Sequence, residues 1–472
     1  MTTSDTKITD EVVGFIEAAT FGEFPAEAIR IAKRCVLDGL GLMLAGSAQY
    51  CTRIMREFSL SDGRGSGATT LGKDSVKLPA ALAALVNGTA GHAMDWDDTQ
   101  LSASPDRTFG LLTHPTTPPL AAALAVAELR GGVSGKDFLT AFITGFEVEC
   151  KIAESIRPEH YEKGFHSSGT AGTFGAAAAA AKLIGLDRPQ LRHLLGMTAS
   201  MASGIRVNFG TMTKPLHVGR AAQNGVSAAL LAQGGYEADP DGLDGPWGFF
   251  QVFGRGVEAE RIIGKLGNPY SIVEPGVSVK PYPCGSLTHP SIDAMRAVVM
   301  DNDLRPDDIE EVVLYAGNNI LQPIRYTTAE NELQAKFCMP FLLAAIVISR
   351  KAGVREFTPG FVHAPDVRTL MQRIHTRFDP AIEARGYDKM RSRVEVTLKN
   401  GQKIVRDADD RYRGGPENPL SDDELIEKFT DCSQSLVSES TRAEIVKTVF
   451  ELEDLPDMGS LIPQLSQAQS GR

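Results

Sequence analysis

Apolar residues recur at three- and four-residue spacing through most of the first 265 positions. Segments 27–46, 79–98, 118–131 and 135–156 all carry this spacing, which gathers apolar side chains on one face of a helix. "TAGTFGAAAAAAKLIG" (170–185) is apolar almost all round and built of small residues. It predicts a buried central helix that its neighbours approach closely. Glycines close several of these segments, as helix stops do.

The pattern changes after Gly267. "IEEVVLYAG" (309–317), "RSRVEVTLKN" (391–400) and "QKIVRDA" (402–408) alternate or cluster β-branched residues and predict strands. Asn-Gly in "LKNGQKIV" predicts a hairpin between the last two. Helices are expected at 288–301, 334–350 and 366–376, and two more after the loop "GGPENPLSD". The prediction is a mainly α chain: a large all-helical domain over 1–267 plus 410–472, with a smaller α+β domain inserted at 268–409. The last ten residues read as a loose tail.

Composition narrows the function. With 472 residues, 42% hydrophobic and 23% charged, the chain reads as a two-domain globular protein. A net charge of −11 argues against nucleic acid and against an anionic membrane surface. The opening "MTTSDTKITDEVVGFIEAAT" predicts no signal peptide, and the longest mainly apolar stretch, 339–349, is short of a membrane span. The six cysteines are scattered, with no pair closer than sixteen residues, so reduced thiols and a cytoplasmic location are expected rather than a zinc or iron–sulfur ligand set.

Candidate chemistry concentrates in a few junctions. "TKPLHVGRAAQNG" (213–225) sets Lys214, His217 and Arg220 at the start of a helix of small residues. A helix N-terminus already carries about half a positive charge, so three added cations point to an anion held there. "GHAMDWDDT" offers Asp95 with Thr99 one turn further on the same helix face, and a carboxylate beside histidines can orient them or exchange a proton. Its three aspartates lack a second acidic cluster, so no metal is expected. His114 in "THPTTPP", His166 in "GFHSSGTAG" and His289 in "SLTHPSID" lie at turns and helix starts. Lys280, in "VKPYPCGSLTHPSIDAM", supplies a second cation from the second domain, and a cleft between domains suits a small ligand. There is no G-x-S-x-G elbow, Walker A loop or dinucleotide fingerprint, so no nucleotide cofactor is expected.

"GHAMDWDDT", "THPTTPPLAAALAVAE", "GFHSSGTAGTFGAAAAAAKLIGL", "TKPLHVGRAAQNGVSAALLAQGG", "VKPYPCGSLTHPSIDAM" and "AKFCMPFLLAAIV" together resemble the MmgE/PrpD family, in family order and across about residues 8–460. The resemblance implies a helical domain with an α+β lid, paired as a homodimer. It also implies a cleft lined by Asp95, Thr99, His114, His166, Lys214 and Lys280, with His217, Arg220, His289 and Met339 toward the substrate. The implied activity is a cofactor-independent dehydratase of a di- or tricarboxylic acid resembling 2-methylcitrate. An epimerase or isomerase of an iminodisuccinate-like acid is the alternative, and a silent anion-binding scaffold the third. Met339 aligns with the active-site tyrosine of cis-aconitate decarboxylase; methionine donates no proton, which argues against decarboxylation. The 100–113 segment is longer than expected and bears on the pocket's shape.

Overall fold

Small residues set the architecture. In this computed structural model, which describes residues 7–63, 65, 67–101 and 111–466, helix Ser167–Ile184 is buried along nearly its whole length. It runs from His166 to Gly185, which closes it in the left-handed region at φ 78°. Helices Thr117–Arg130, Gly135–Ser155 and Thr213–Gln233 pack around it, and the last also lies along Ala80–Ala93. That crossing requires glycine: a Cβ on Gly219 would sit 2.2 Å from Thr89 Oγ1 and 2.5 Å from the Leu85 carbonyl oxygen. The closeness brings the start of Thr213–Gln233 beside the end of Ala80–Ala93, where the polar residues gather.

The described chain is mainly α, and its apolar residues form two large clusters. One takes residues between Ile8 and Val279 and then Leu420–Leu465. The other takes Phe209 and residues between Tyr282 and Tyr412. The second surrounds a four-stranded sheet in the order Ile374–Phe378, Ile309–Ala316, Ser392–Leu398, Lys403–Asp407, parallel at the first pair and antiparallel at the others. Ser392–Leu398 alternates buried and half-buried side chains, and Asn400-Gly401 turns it into its partner. Helices His289–Asp301 and Met339–Ser349 cover the sheet.

Three expectations need correction. The 79–98 helix ends at Ala93, so Asp95 and Thr99 do not share a helix face. The 366–376 segment is helical only at Pro365–Met371 and then becomes strand Ile374–Phe378, because its register beside Ile309–Ala316 completes the sheet. The 334–350 segment divides into Glu332–Ala335 and Met339–Ser349. Residues 102–110 of the long segment after Thr99, and 467–472 of the tail, lie outside the described residues. Among the described residues no helix is long and apolar enough to cross a membrane.

Hydrogen bonds tie the 278–336 stretch to residues 94–209. Thr99 and Ser278 exchange backbone bonds of 2.9 and 2.8 Å. Lys336 Nζ donates to the Met94 carbonyl at 2.5 Å and the Pro283 carbonyl at 3.1 Å. Tyr326 OH and Arg325 Nη2 both donate to the Phe209 carbonyl, at 3.1 and 3.2 Å.

Candidate active site

Past the end of helix Ala80–Ala93 the chain turns sharply, and Asp95 adopts φ 52°. A non-glycine residue rarely takes that conformation, and it costs about 1 kcal/mol or more. The turn directs Asp95 Oδ1 at two buried ammonium groups: Lys214 Nζ at 3.0 Å and Lys280 Nζ at 2.9 Å. Lys280 also donates to the Asp95 carbonyl at 2.9 Å. Burial by itself would raise the Asp95 carboxyl, but the two lysines overcome it and hold the group well below the usual carboxylate range. Lys214 moves down, because burial outweighs the attraction of Asp95.

Three imidazoles lie beside this pair. His92 Nδ1 meets the Asp97 carboxylate at 2.7 Å, and His92 Nε2 faces Lys214 Nζ at 2.7 Å. These partners assign the proton to Nδ1 and the lone pair to Nε2. His114 Nδ1 faces the Asp98 carbonyl at 2.7 Å, which leaves His114 Nε2 as a base. His166 Nδ1 meets His217 Nδ1 at 3.1 Å, and His166 Nε2 is a buried atom without a hydrogen-bond partner among the described residues. Burial lowers all three, His114 and His166 well below the ordinary histidine value, so they are neutral bases at pH 7. Behind them, Asp97 is held low: burial opposes ionisation, but His92 and His114 outweigh it. Asp98 is pushed up to about 7 by burial, and accepts a hydrogen bond from Thr116 Oγ1 at 2.6 Å.

These groups close one side of a small cavity. Its polar wall is Asp95, His114, Tyr161, Lys214, Lys280 and Ser286. The rest of its lining is Gly285 and the apolar side chains of Phe209, Leu287, Pro323, Ile324 and Phe337. The stacked rings of Phe209 and Phe337, 5.7 Å between centroids, also flank Lys214 Nζ at 5.2 and 5.6 Å.

The sequence-predicted residues divide by position. Asp95, His114, Lys214 and Lys280 line the cavity, and Thr99 and His166 stand one layer behind. Thr99 Oγ1 is 2.6 Å from Ser286 Oγ and so orients a lining hydroxyl. The expected substrate contacts are corrected. His217 backs His166 rather than the cavity. Arg220 is exposed and donates to Gln223 Oε1 at 2.6 Å. It is six residues beyond Lys214, about 120° away around a 100°-per-residue helix. His289 faces the Cys284 carbonyl at 3.3 Å and the edge of Tyr282, holding the turn that follows Lys280. Met339 is buried in the second apolar cluster, away from the cavity lining, so position 339 gives no argument about decarboxylation. The cation group at the start of helix Thr213–Gln233 is therefore Lys214 with Lys280, not Lys214 with its helix neighbours.

His92, in the "GHAMDWDDT" junction, and Asp97 and Lys336 have no role assigned from the sequence. His92 and Asp97 lie five apart in "GHAMDWDD", a spacing that only the turn after Ala93 converts into a contact. Lys336 is buried with carbonyl partners and is lowered to about 8, mainly by burial. The ligand atoms of His92, His114 and His166 lie within 4.8 Å of one another, as do those of His92, Asp95 and Asp97, so either set has the donors for a transition-metal ion. The ammonium of Lys214 already occupies His92 Nε2 and competes for that place.

Comparison with known proteins follows this geometry. The family model of the MmgE/PrpD N-terminal domain matches residues 10–262, and that of the MmgE/PrpD C-terminal domain matches residues 282–452. A cis-aconitate decarboxylase of Homo sapiens is 30% identical over 464 residues, spanning 96% of this chain and 93% of that protein. A cis-aconitate decarboxylase of Aspergillus terreus is 23% identical over 478 residues, spanning 97% of this chain and 96% of that protein.

Proposed function

The chain belongs to the MmgE/PrpD family, and on that footing we propose that it is a cofactor-independent lyase, a dehydratase of a small carboxylic acid of the di- or tricarboxylate class. One observation carries this reading: two ammonium groups converge on one carboxylate beside neutral imidazoles. Each ammonium has three N–H donors. Lys214 uses two, on Asp95 and His92, and Lys280 uses two, on the carboxylate and carbonyl of Asp95. The two that remain fit the two oxygens of one substrate carboxylate. His114 Nε2 takes the proton from the neighbouring carbon, and the C–H electron pair becomes negative charge spread into that carboxylate. Fixed cations in a dry site stabilise such charge far better than water does. The C–O bond then breaks, the double bond forms, and hydroxide leaves as water with the proton that His114 took. His92, backed by Asp97, holds Lys214 in place by accepting one of its N–H groups.

The free space is about 20 Å³, enough for one water. Binding an acid therefore needs the 282–337 side to draw back from the 92–217 side.

Decarboxylation is the second reading, favoured by the activity named for the relatives. It needs a proton donor at the carbanion, a part suited to Lys214, and no base. Incubation with candidate acids in deuterium oxide tests both. Dehydration gives an ultraviolet-absorbing alkene without carbon dioxide; decarboxylation releases carbon dioxide. Deuterium exchange with neither result marks an isomerase, and no change of any kind marks an anion-binding scaffold.

A further inference from the structure

We infer that the substrate carries an apolar arm where a tricarboxylic acid would carry its third carboxylate. Leu287, Pro323, Ile324 and Phe337 would be the residues that select it. The inference rests on the reading above, that Lys214 and Lys280 hold a substrate carboxylate.

The polar wall has two ammonium groups and one carboxylate, so its net charge is a single positive unit. Two free ammonium N–H groups remain, and one carboxylate consumes both; the Ser286 hydroxyl, with Thr99 Oγ1 donating to it, can serve a second carboxylate, and the side chains of the apolar lining offer nothing to a third. Arg220 and His217, the other basic residues of the segment, are outside the cavity lining, bonded to Gln223 and His166. Lys336 spends its ammonium on the Met94 and Pro283 carbonyls.

The side chains of the apolar wall have nothing to offer an anion. Leu287 is 2%, Ile324 7% and Phe337 4% exposed, and the described side chains on that wall are all apolar. A carboxylate pressed against it would be buried without a partner, which is strongly unfavourable. An ethyl group in the same place buries apolar surface and gains from it. The wall also explains why Phe209 and Phe337 stack beside Lys214: they exclude water from the ammonium and sharpen its preference for one anion.

Two inert acids on one skeleton test the inference. Propane-1,2,3-tricarboxylate and ethylsuccinate differ only in that a terminal carboxylate of the first is a methyl group in the second. Their binding to the full chain is measured by calorimetry at pH 7 and at two salt concentrations. Ethylsuccinate is expected to bind at least ten-fold more tightly. Ile324→Arg, checked by its melting curve, is expected to reverse the order by placing a cation in the wall. Equal or tighter binding of the tricarboxylate to the native chain overturns the apolar-arm inference while leaving the lyase reading in place. Binding of neither acid, or binding unaffected by Lys214→Ala, overturns the carboxylate anchor and both readings with it. The native-chain comparison decides whether or not the arginine variant folds.

Discussion

Lys214 and Lys280 reach the same oxygen of Asp95, at 3.0 and 2.9 Å, one from helix Thr213–Gln233 and the other from the stretch between Val279 and Tyr282, where the chain passes from one apolar cluster to the other. One carboxylate thus balances two buried ammonium groups, and the surplus charge faces the cavity.

Lys214→Ala is expected to lower kcat/KM by on the order of a hundred- to several-thousand-fold, the equivalent of roughly 3–5 kcal/mol for a desolvated charged contact. The lysine is buried, so some stability goes with it. Arg220→Ala is the control: its exposed guanidinium meets only Gln223, and turnover should be unchanged. Lys182→Ala is a poor control, because Lys182 caps the Ile16 and Glu17 carbonyls. Equal losses in the Lys214 and Arg220 variants would refute the assignment.

Asp95→Asn leaves two buried ammonium groups facing each other, and should cost about 3–5 kcal/mol of stability. The pH dependence follows from the sign of the shift. The folded carboxyl lies below its unfolded value of about 3.9, so its contribution is full above that pH and is lost as the pH falls further. Urea melts at pH 3 and 6 should show a smaller acid loss in the variant than in the native chain.

Asp98 works in the opposite sense. Burial pushes it up to about 7, so between about 4 and 7 the folded chain keeps a proton that the unfolded chain has released. Its contribution to stability therefore declines as pH rises through that window. Asp98→Asn, which retains an acceptor for Thr116, should remove that decline. An identical pH 5-to-8 difference in both proteins would exclude Asp98 as its source.

Lys336, lowered to about 8, should give kcat/KM an alkaline limb, because its neutral amine holds the Met94 and Pro283 carbonyls less firmly. Lys336→Met should flatten that limb and lower kcat more than it raises KM. A lysine with a purely packing role would leave the pH profile unmoved.

Dialysis against a strong chelator should leave the rate unchanged, since the proposed steps use only ammonium and imidazole groups. Loss of activity restored by one divalent ion would overturn this and point to one of the two donor sets, His92, His114 and His166 or His92, Asp95 and Asp97.

Residue patterns and contacts differ in how far they could be read from sequence. The three-and-four spacing and the Asn-Gly turn mark most helices and the Ser392–Asp407 hairpin, because these depend on neighbours along the chain. Strand Ile374–Phe378 escaped, because its state is set by the partner strand beside it. Asp95, Lys214 and Lys280 were legible as polar groups in glycine- and proline-rich junctions. His92 and Asp97 were not, since their contact exists only after the Asp95 turn. Arg220 was misplaced because a linear run of cations ignores helical phase.

The proton-handling side chains, except Lys280, come from residues 92–217, whereas the apolar wall outside Phe209 comes from 287–337. Reaction type and choice of substrate are thus written in separate stretches of one gene. On the proposed reading, a relative's 287–324 stretch, exchanged into this chain, would change which acid is taken while the proton chemistry passes on unaltered. Descent within such a family can then diversify diet without reinventing catalysis.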